Sequence, residues 1–358
     1  MDLPILTSKT TDKPWLNIYV NSVNSKKAIS EYSNTSSGQL SAGMLIQSAD
    51  MNLVGLPAGT RGDTLTLYNK SLKKIVLSGS PGANTAVSTV DGGATWSQLT
   101  TPFAFPGISY SPDLNLYTGI LIGSVTVYTS PSANNGSWVA GTPYSGPGFL
   151  AQRIFYSTAF KRWYTSTTDG SYRIASSTTG DLYNPQFSNR DFSHNAYAPV
   201  SSKLGTGQGR LVLVGPDGPQ YTDDGKTWIN SNSTTPMFSV CYSSFWGKFV
   251  ALPRAPADRA NIYSSVDGIN WTATNAGFET TLELRTIAWS DDLQVFQAAG
   301  VNSRFWISSD GLKWKRQAYN FVAGVISTNG SRFYPEIGAY IAGTDLANVV
   351  VTSPLFIA

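Results

Sequence analysis

The stretch Ser265-Val266-Asp267-Gly268-Ile269-Asn270-Trp271 decides the fold, because its pattern returns along the chain at a nearly constant interval. We call this pattern the Asp-Gly turn. Complete or worn copies end in an aromatic residue at positions 96, 138, 183, 228, 271 and 314, with spacings of 42, 45, 45, 43 and 43 residues. A fixed period of this length indicates a repeat architecture.

The residues of the Asp-Gly turn have a structural explanation. Its glycine can adopt the positive φ that a hairpin turn needs, and its aspartate can accept hydrogen bonds from the backbone of its own turn. The tryptophan offers a large apolar face for packing between repeats. The clear copies contain Asp91, Gly93 and Trp96; Asp224, Gly225 and Trp228; Asp267, Gly268 and Trp271; and Asp310, Gly311 and Trp314. Worn copies occupy 132–138 and 177–183.

Each repeat reads as four short strands joined by turns, and no segment has the periodicity of an amphipathic helix. Four short antiparallel strands repeated radially form the blades of a β-propeller. The sequence therefore predicts an all-β fold, a β-propeller of four-stranded antiparallel blades. The units are expected at about 63–99, 106–141, 149–186, 193–231, 237–274, 282–317 and 323–358.

The last unit ends at Ala358 before an Asp-Gly turn and a fourth strand. An unpaired strand edge is a liability, so we expect an N-terminal strand to close the ring. If residues near 51–56 supply it, there are seven blades and residues 1–45 form an arm. If residues near Trp15 supply it, 17–56 form an extra blade and there are eight. We favour seven, with an arm and closure segment at 1–60 and the propeller at 61–358.

Composition excludes several classes of protein. Charged residues make up 13% of the chain and the net charge is +3 without a basic run, so we expect no nucleic-acid binding. No stretch approaches 18 apolar residues, which predicts no membrane insertion. The N-terminus lacks the basic and apolar regions of a signal peptide.

Few residues suit catalysis. Cys241 and His194 are the only cysteine and histidine, so we expect a buried structural thiol, a loop histidine, no metal site and no cofactor. Glycoside hydrolysis needs two carboxyl groups flanking the bond. The carboxylates considered for it are Asp169, Asp191, Glu279, Glu283 and Glu336. No spacing singles out a pair, and we nominate no catalytic residue.

The repeated Ser-x-Asp-Gly-x-x-Trp, preceded by a Phe-Val-Ala-type strand, resembles the Asp-box or BNR-like repeat of the sialidase-like propeller superfamily over about 63–358. The resemblance implies a β-propeller whose Asp-box turns are peripheral and structural. Sialidases of this fold carry a Phe/Tyr-Arg-Ile-Pro motif, whereas Arg153-Ile154 and Arg173-Ile174 are not followed by proline. The resemblance therefore predicts the fold more strongly than it predicts sialidase activity.

Binding residues are expected in the loops between strands 2 and 3 and between successive units, which emerge on one face and vary most. Exposed aromatic and arginine side chains anchor interfaces. The candidates are Phe103, Phe105, Tyr144, Phe149, Phe192, Tyr197, Arg254 and Arg259. The alternative is that proline and phenylalanine only pin these loops against the body of the fold.

The low charge and the Ser/Thr/Asn-rich loops are similar in style to propellers of phage tails and other virion proteins. This resemblance implies a non-enzymatic virion protein, located in a tail, fibre or decoration structure. Its roles would be particle structure or binding to a glycan or protein of the host surface, and its N-terminal arm would bind other virion proteins. Two alternatives stay open: a sialidase-like carbohydrate-active enzyme, and a cytoplasmic assembly factor that binds another protein.

Overall fold

A computed structural model of the protein describes most of the chain after residue 51. The described residues are 52–57, 64–78, 85–101, 105, 107–120, 126–141, 154–166, 174–181, 183–186, 188, 209–281, 283–291, 294–300, 305–317, 328–337, 339–344 and 349–354. The predicted arm at 1–45 lies outside them, and so does the alternative closure near Trp15.

The described secondary structure consists of short strands and two single 3₁₀ turns, Pro256–Asp258 and Pro335–Ile337. The strands are β1 (Asn52–Gly55), β2 (Thr64–Leu65), β3 (Ile75–Ser78), β4 (Thr85–Thr89), β5 (Ser97–Thr100), β6 (Gly107–Ser111), β7 (Leu116–Ile120), β8 (Val127–Ser130), β9 (Val139–Ala140), β10 (Ile154–Ser157), β11 (Arg162–Ser166), β12 (Ile174–Ser177), β13 (Asn184–Gln186), β14 (Leu211–Leu213), β15 (Gln220–Thr222), β16 (Ile229–Asn230), β17 (Met237–Ser243), β18 (Lys248–Pro253), β19 (Asn261–Ser265), β20 (Thr272–Asn275), β21 (Leu284–Ser290), β22 (Val295–Gly300), β23 (Phe305–Ser308), β24 (Lys315–Gln317), β25 (Thr328–Tyr334), β26 (Ala339–Thr344) and β27 (Val349–Pro354). In the described ranges, no helix has the length and apolar character needed to cross a bilayer.

The described strands form antiparallel sheets that follow one another along the chain, and we number these sheets as blades. Blade 1 is β2–β5, blade 2 is β6–β9, blade 3 is β10–β13, blade 4 is β14–β16, blade 5 is β17–β20, blade 6 is β21–β24, and blade 7 is β25–β27 with β1. Blade 4 has three strands among the described residues and the others have four.

The two ends of the described chain meet in blade 7. Strand β1 pairs antiparallel with β27, with Leu53 opposite Val351 and Val54 opposite Val350. Strand β25 of the same blade contacts β2 of blade 1. Residues 52–55 therefore complete the last sheet as its outer strand, and the last blade lies against the first.

The apolar core lies between the blades. Each of seven clusters of buried residues combines side chains of two neighbouring blades. Between blades 5 and 6, for example, Cys241 and Val250 pack with Ile287 and Phe296. Each sheet thus buries its apolar faces only against its neighbours, as in other repeat folds.

The antiparallel order gives the blades two distinct faces. Turns joining strands 1 and 2, and strands 3 and 4, lie on one face, which also carries the Asp-Gly turns, and we call it the turn face. Strands 2 and 4 end, and strands 1 and 3 begin, at the opposite face, which we call the loop face. The connection between strands 2 and 3 of blade 5, residues 254–260, is described there. The turn face thus carries short tight turns, and the loop face is the one on which the sequence analysis predicts binding residues.

Candidate binding site

The Asp-Gly turns satisfy their own carboxylates. Ser265 Oγ donates to Asp267 Oδ1 at 2.9 Å and accepts from Gly268 N at 2.8 Å. The same Oδ1 accepts from the backbone N–H groups of Ile269 and Asn270, each at 2.8 Å. Asp224 and Asp310 accept the same pairs of backbone bonds in their turns. These aspartates therefore close hairpins.

The hydrogen bonds also set the acidity of these groups. Burial raises the pKa of Asp224 and Asp267, but the backbone and side-chain hydrogen bonds of each turn outweigh it and lower the pKa of each from 3.8 to about 2. The pKa of Asp91 and that of Asp310 are also lowered, because hydrogen bonds again outweigh burial. A group that is ionised at neutral pH and bonded within its own turn is unsuited to donate a proton in catalysis.

The turn glycines lie at the interface between blades. Gly268 has φ +72°, and a Cβ built on it would lie 2.7 Å from Cγ2 of Val212 in blade 4. A Cβ on Gly311, with φ +72°, would lie 3.0 Å from Val250 in blade 5. The glycine therefore serves two needs at once, a left-handed backbone and close contact with the preceding blade.

Two copies of the turn depart from the pattern. Trp228 Nε1 donates to Gln186 Oε1 of blade 3 at 2.9 Å, whereas the other three tryptophans donate to the carbonyl of their own turn glycine. In the worn copy before Trp138, Ala133 has φ +59° and its N–H donates to Ser130 Oγ at 2.8 Å. That copy therefore begins at residue 130, and the sequence-based placement at 132 is wrong because the turn is longer.

Phe105 does not serve as an exposed anchor. It is 3% exposed and lies 5.6 Å from Tyr128 and 5.0 Å from Trp138, measured between ring centroids. It also covers Gly119, where a Cβ would lie 2.9 Å from the ring. The prediction that Phe105 faces a partner is therefore wrong, and the residue pins its segment into the core. The other aromatic candidates, Phe103, Tyr144, Phe149, Phe192 and Tyr197, lie outside the described residues.

Arg254 and Arg259 both lie in the connection between β18 and β19, on the loop face. The guanidinium of Arg254 lies 5.5 Å from the ring centroid of Phe238. Arg259 follows the 3₁₀ turn Pro256–Asp258 and donates through Nη2 to Glu283 Oε2 at 2.6 Å. Arg285 Nε donates to the other oxygen, Glu283 Oε1, also at 2.6 Å. We call Arg254, Arg259, Glu283 and Arg285 the loop-face arginine cluster.

A strand bulge positions Arg285. In the pairing of β21 with β22, Leu284 lies opposite Gly300 and Thr286 lies opposite Ala299, so the register skips Arg285. A Cβ on Gly300 would lie 2.0 Å from the carbonyl oxygen of Glu283, which explains the glycine. Bulges re-aim side chains and are frequent near functional sites.

The same irregularity recurs in the adjacent blades. The inner strand of blade 5 skips Phe238, and the inner strand of blade 7 skips Asn329. Phe238 is the residue beneath Arg254, so two bulges contribute to one cluster. Sequence reasoning nominated Arg254 and Arg259 but missed Arg285 and Phe238. The available signal was an arginine between Leu284 and Thr286, inside an otherwise apolar strand pattern.

The cluster joins one carboxylate to two guanidinium groups. Each carboxylate oxygen of Glu283 accepts one guanidinium N–H, so Glu283 orients two arginines. The side chains of Arg259 and Arg285 are 20% and 32% exposed, so part of each side chain is accessible from solvent. In the described ranges, no three His, Cys, Asp or Glu residues are grouped so that they could hold a metal ion.

Comparisons with known proteins were made from sequence and from structure. No family model and no curated protein matches the chain. Among solved structures, YCF48 bound to D1 peptide is 14% identical with a TM-score of 0.63, covering 85% of this chain and 95% of the other. The WD40 β-propeller domain of Doa1 is 10% identical with a TM-score of 0.58, covering 85% and 97%. The chain is a β-propeller. Virginiamycin B lyase from Staphylococcus aureus is also similar in fold, with 9% identity and a TM-score of 0.64, covering 86% of this chain and 100% of the other.

Proposed function

We propose that this β-propeller is a non-enzymatic protein that binds a segment of another protein on its loop face, above blades 5 and 6. The observation that carries the proposal is the loop-face arginine cluster, in which two adjoining blades and two strand bulges hold three arginines in fixed positions. A cluster assembled from separate blades is a property of the folded ring and of no single repeat.

The cluster has the chemistry of a protein-binding site. Arginine is enriched at interfaces because its planar guanidinium donates several hydrogen bonds and stacks on aromatic rings. Glu283 fixes the planes of Arg259 and Arg285, and Phe238 supports that of Arg254. Arginines held in this way lose little side-chain entropy when they bind. The expected partner segment offers carboxylates or backbone carbonyls to the guanidinium groups.

Similar folds are compatible with this role. One of them, YCF48, was solved with a D1 peptide bound. The likeness supports the idea that a propeller of this size presents a peptide site, and it leaves the partner of this chain open. Virginiamycin B lyase, which is equally similar in fold, is an enzyme, and at such low identity neither likeness transfers an activity.

The virion setting stays a prediction from the resemblance in style to virion propellers. The three similar structures named above are not virion proteins by their names, and the predicted arm lies outside the described residues. Of the alternatives that the sequence left open, the protein-binding propeller fits the loop-face arginine cluster best. A virion or cytoplasmic location is compatible with it.

The test is site-specific photo-crosslinking in the organism that makes the protein. A photoreactive amino acid replaces Arg254 on the loop face, and in the matched control it replaces exposed Lys226 on the turn face. We expect a discrete protein adduct from position 254 that is absent from position 226 and is reduced at least fivefold by Arg285→Ala. No adduct at 254, an equal adduct at 226, or an adduct indifferent to Arg285→Ala would contradict the proposal.

A further inference from the structure

A second surface lies on the turn face, at the turn between β17 and β18. Phe245 and Trp246 are 41% and 45% exposed, and their rings meet edge to face with centroids 5.2 Å apart. The other large hydrophobic residues exposed in the described ranges are aliphatic: Leu72, Val90, Leu114, Val139, Ile229 and Val266. This turn therefore presents the exposed aromatic surface of the described chain.

The indole of Trp246 is held in a fixed orientation. Its Nε1 donates to the carbonyl oxygen of Ser309 in blade 6 at 2.7 Å, so the bond crosses from one blade to the next. Lys248 Nζ lies 5.6 Å from the ring centroid. Because the polar edge of the indole is already bonded, what remains for a ligand is apolar ring surface. A ring fixed in this way pays little entropy on binding.

A carboxylate stands beside the aromatic pair. Asp291 Oδ1 accepts from Trp289 Nε1 at 2.7 Å and from Ser244 Oγ. No described residue donates to Asp291 Oδ2, and the residue is exposed. One oxygen thus anchors the group while the other is available to accept hydrogen bonds. We call Phe245, Trp246 and Asp291 the turn-face platform.

We propose that the turn-face platform binds a neutral glycan. A pyranose ring has a face of C–H bonds and a rim of hydroxyl groups. The C–H face stacks on the indole of Trp246, whose π-surface is electron-rich, and a hydroxyl group donates to Asp291 Oδ2. This surface is on the face opposite the loop-face arginine cluster, so the inference does not rest on the proposed function.

The size of the platform favours a sugar over a protein partner. A stable protein interface buries roughly 800 Å² on each side, around a fully desolvated apolar centre. Here the aromatic pair has polar neighbours: Ser244 precedes it in the chain and bonds to Asp291, and Ser309 accepts from Trp246. All three residues are exposed. An area of one or two rings edged by hydrogen-bonding groups matches one or two pyranose units.

The experiment titrates the purified chain with neutral trisaccharides of glucose, galactose or N-acetylglucosamine. Binding is followed by tryptophan fluorescence and by saturation-transfer NMR. We expect at least one trisaccharide to bind, Trp246→Ala to weaken that binding at least tenfold, and Trp246→Tyr to retain most of it. Asp291→Asn keeps an acceptor for Trp289 but removes the charge, and we expect it to weaken binding about threefold.

Two controls keep the outcome interpretable. Val266→Ala changes an exposed apolar residue on the same face of blade 5, outside the platform, and should leave binding unchanged. The urea midpoint of each variant reports whether the fold is intact. The proposal is overturned if no trisaccharide binds, or if a folded Trp246→Ala chain binds as tightly as the original.

Discussion

Gly268→Ala tests whether the Asp-Gly turn holds neighbouring blades together. An alanine at φ +72° costs about 1–2 kcal/mol, because Cβ crowds the carbonyl oxygen in left-handed backbone. Its Cβ would also lie 2.7 Å from Cγ2 of Val212, and overpacking of a core typically adds about 1–3 kcal/mol. We expect the free energy of unfolding to fall by about 2–5 kcal/mol.

Gly277→Ala is the matched control, since Gly277, just after the last strand of blade 5, has φ +71° but no atom within 4 Å of a built Cβ. It carries the backbone cost alone, about 1–2 kcal/mol. Urea unfolding followed by tryptophan fluorescence measures both variants. In the double variant Gly268→Ala with Val212→Ala, removal of the valine methyl groups should recover part of the packing cost. This recovery is seen as non-additivity of about 1–2 kcal/mol.

Equal destabilisation by Gly268→Ala and Gly277→Ala would refute this reasoning. It would mean that the glycine is needed only for the conformation of its hairpin. Strict additivity in the double variant would lead to the same conclusion.

Three further predictions concern other contacts of the propeller. Arg210→Lys should lower the unfolding free energy by about 1–2 kcal/mol. Arg210 donates to Asp223 in two bonds of 2.7 and 2.6 Å and also donates to the carbonyl of Asp267, and lysine cannot reproduce all three bonds. An unchanged urea midpoint would contradict this prediction. Because the folded pKa of Asp224 and that of Asp267 lie near 2, below the ordinary 3.8, the stability they contribute is present above pH 4 and lost as pH falls towards 2. A chain with both Asp224→Asn and Asp267→Asn should therefore lose less stability between pH 5 and 3, as read from urea midpoints, and an unchanged slope would count against the assignment. Cys241 is buried, and burial raises the pKa of its thiol. Iodoacetamide should therefore label Cys241 only after unfolding, as measured by mass spectrometry. Rapid labelling of the native chain would show instead that the interface of blades 5 and 6 opens.

The repeat could be read from sequence because each copy encodes its own turn. The serine, aspartate and glycine of a turn take part in hydrogen bonds that span six consecutive residues, Ser265 to Asn270 in one copy, so a local pattern suffices to identify the hairpin. The copy at Ser130 was misplaced because Ala133 takes the left-handed conformation at the position that glycine fills in the clear copies, and Gly136 further along the same turn is left-handed as well.

The candidate sites were less predictable because pairing partners distant in sequence create them. Arg285 is re-aimed by a bulge opposite Gly300, and Trp246 is fixed by the carbonyl of Ser309, which is 63 residues away. Phe105 is buried by ring contacts with Tyr128 and Trp138, which come more than 20 residues later in the chain. The local sequence around an apolar loop residue does not indicate whether its side chain points inward. The side chain of Phe105 is buried in the core.

The pairing of β1 with β27 has a consequence for biosynthesis. Leu53 emerges from the ribosome long before Val351, and the two residues become neighbours only when nearly the whole chain has been made. Strand β1, the first described strand to be synthesised, is therefore among the last to find its partner. Until then the first and last sheets keep open edges, which are the surfaces most prone to pair with other chains. Chains that stop before β27 should depend on chaperones or be degraded. A permuted chain that begins at blade 1, and in which β1 follows β27 after a short linker with residues 1–51 left out, would join its last strand to its neighbour as a local hairpin.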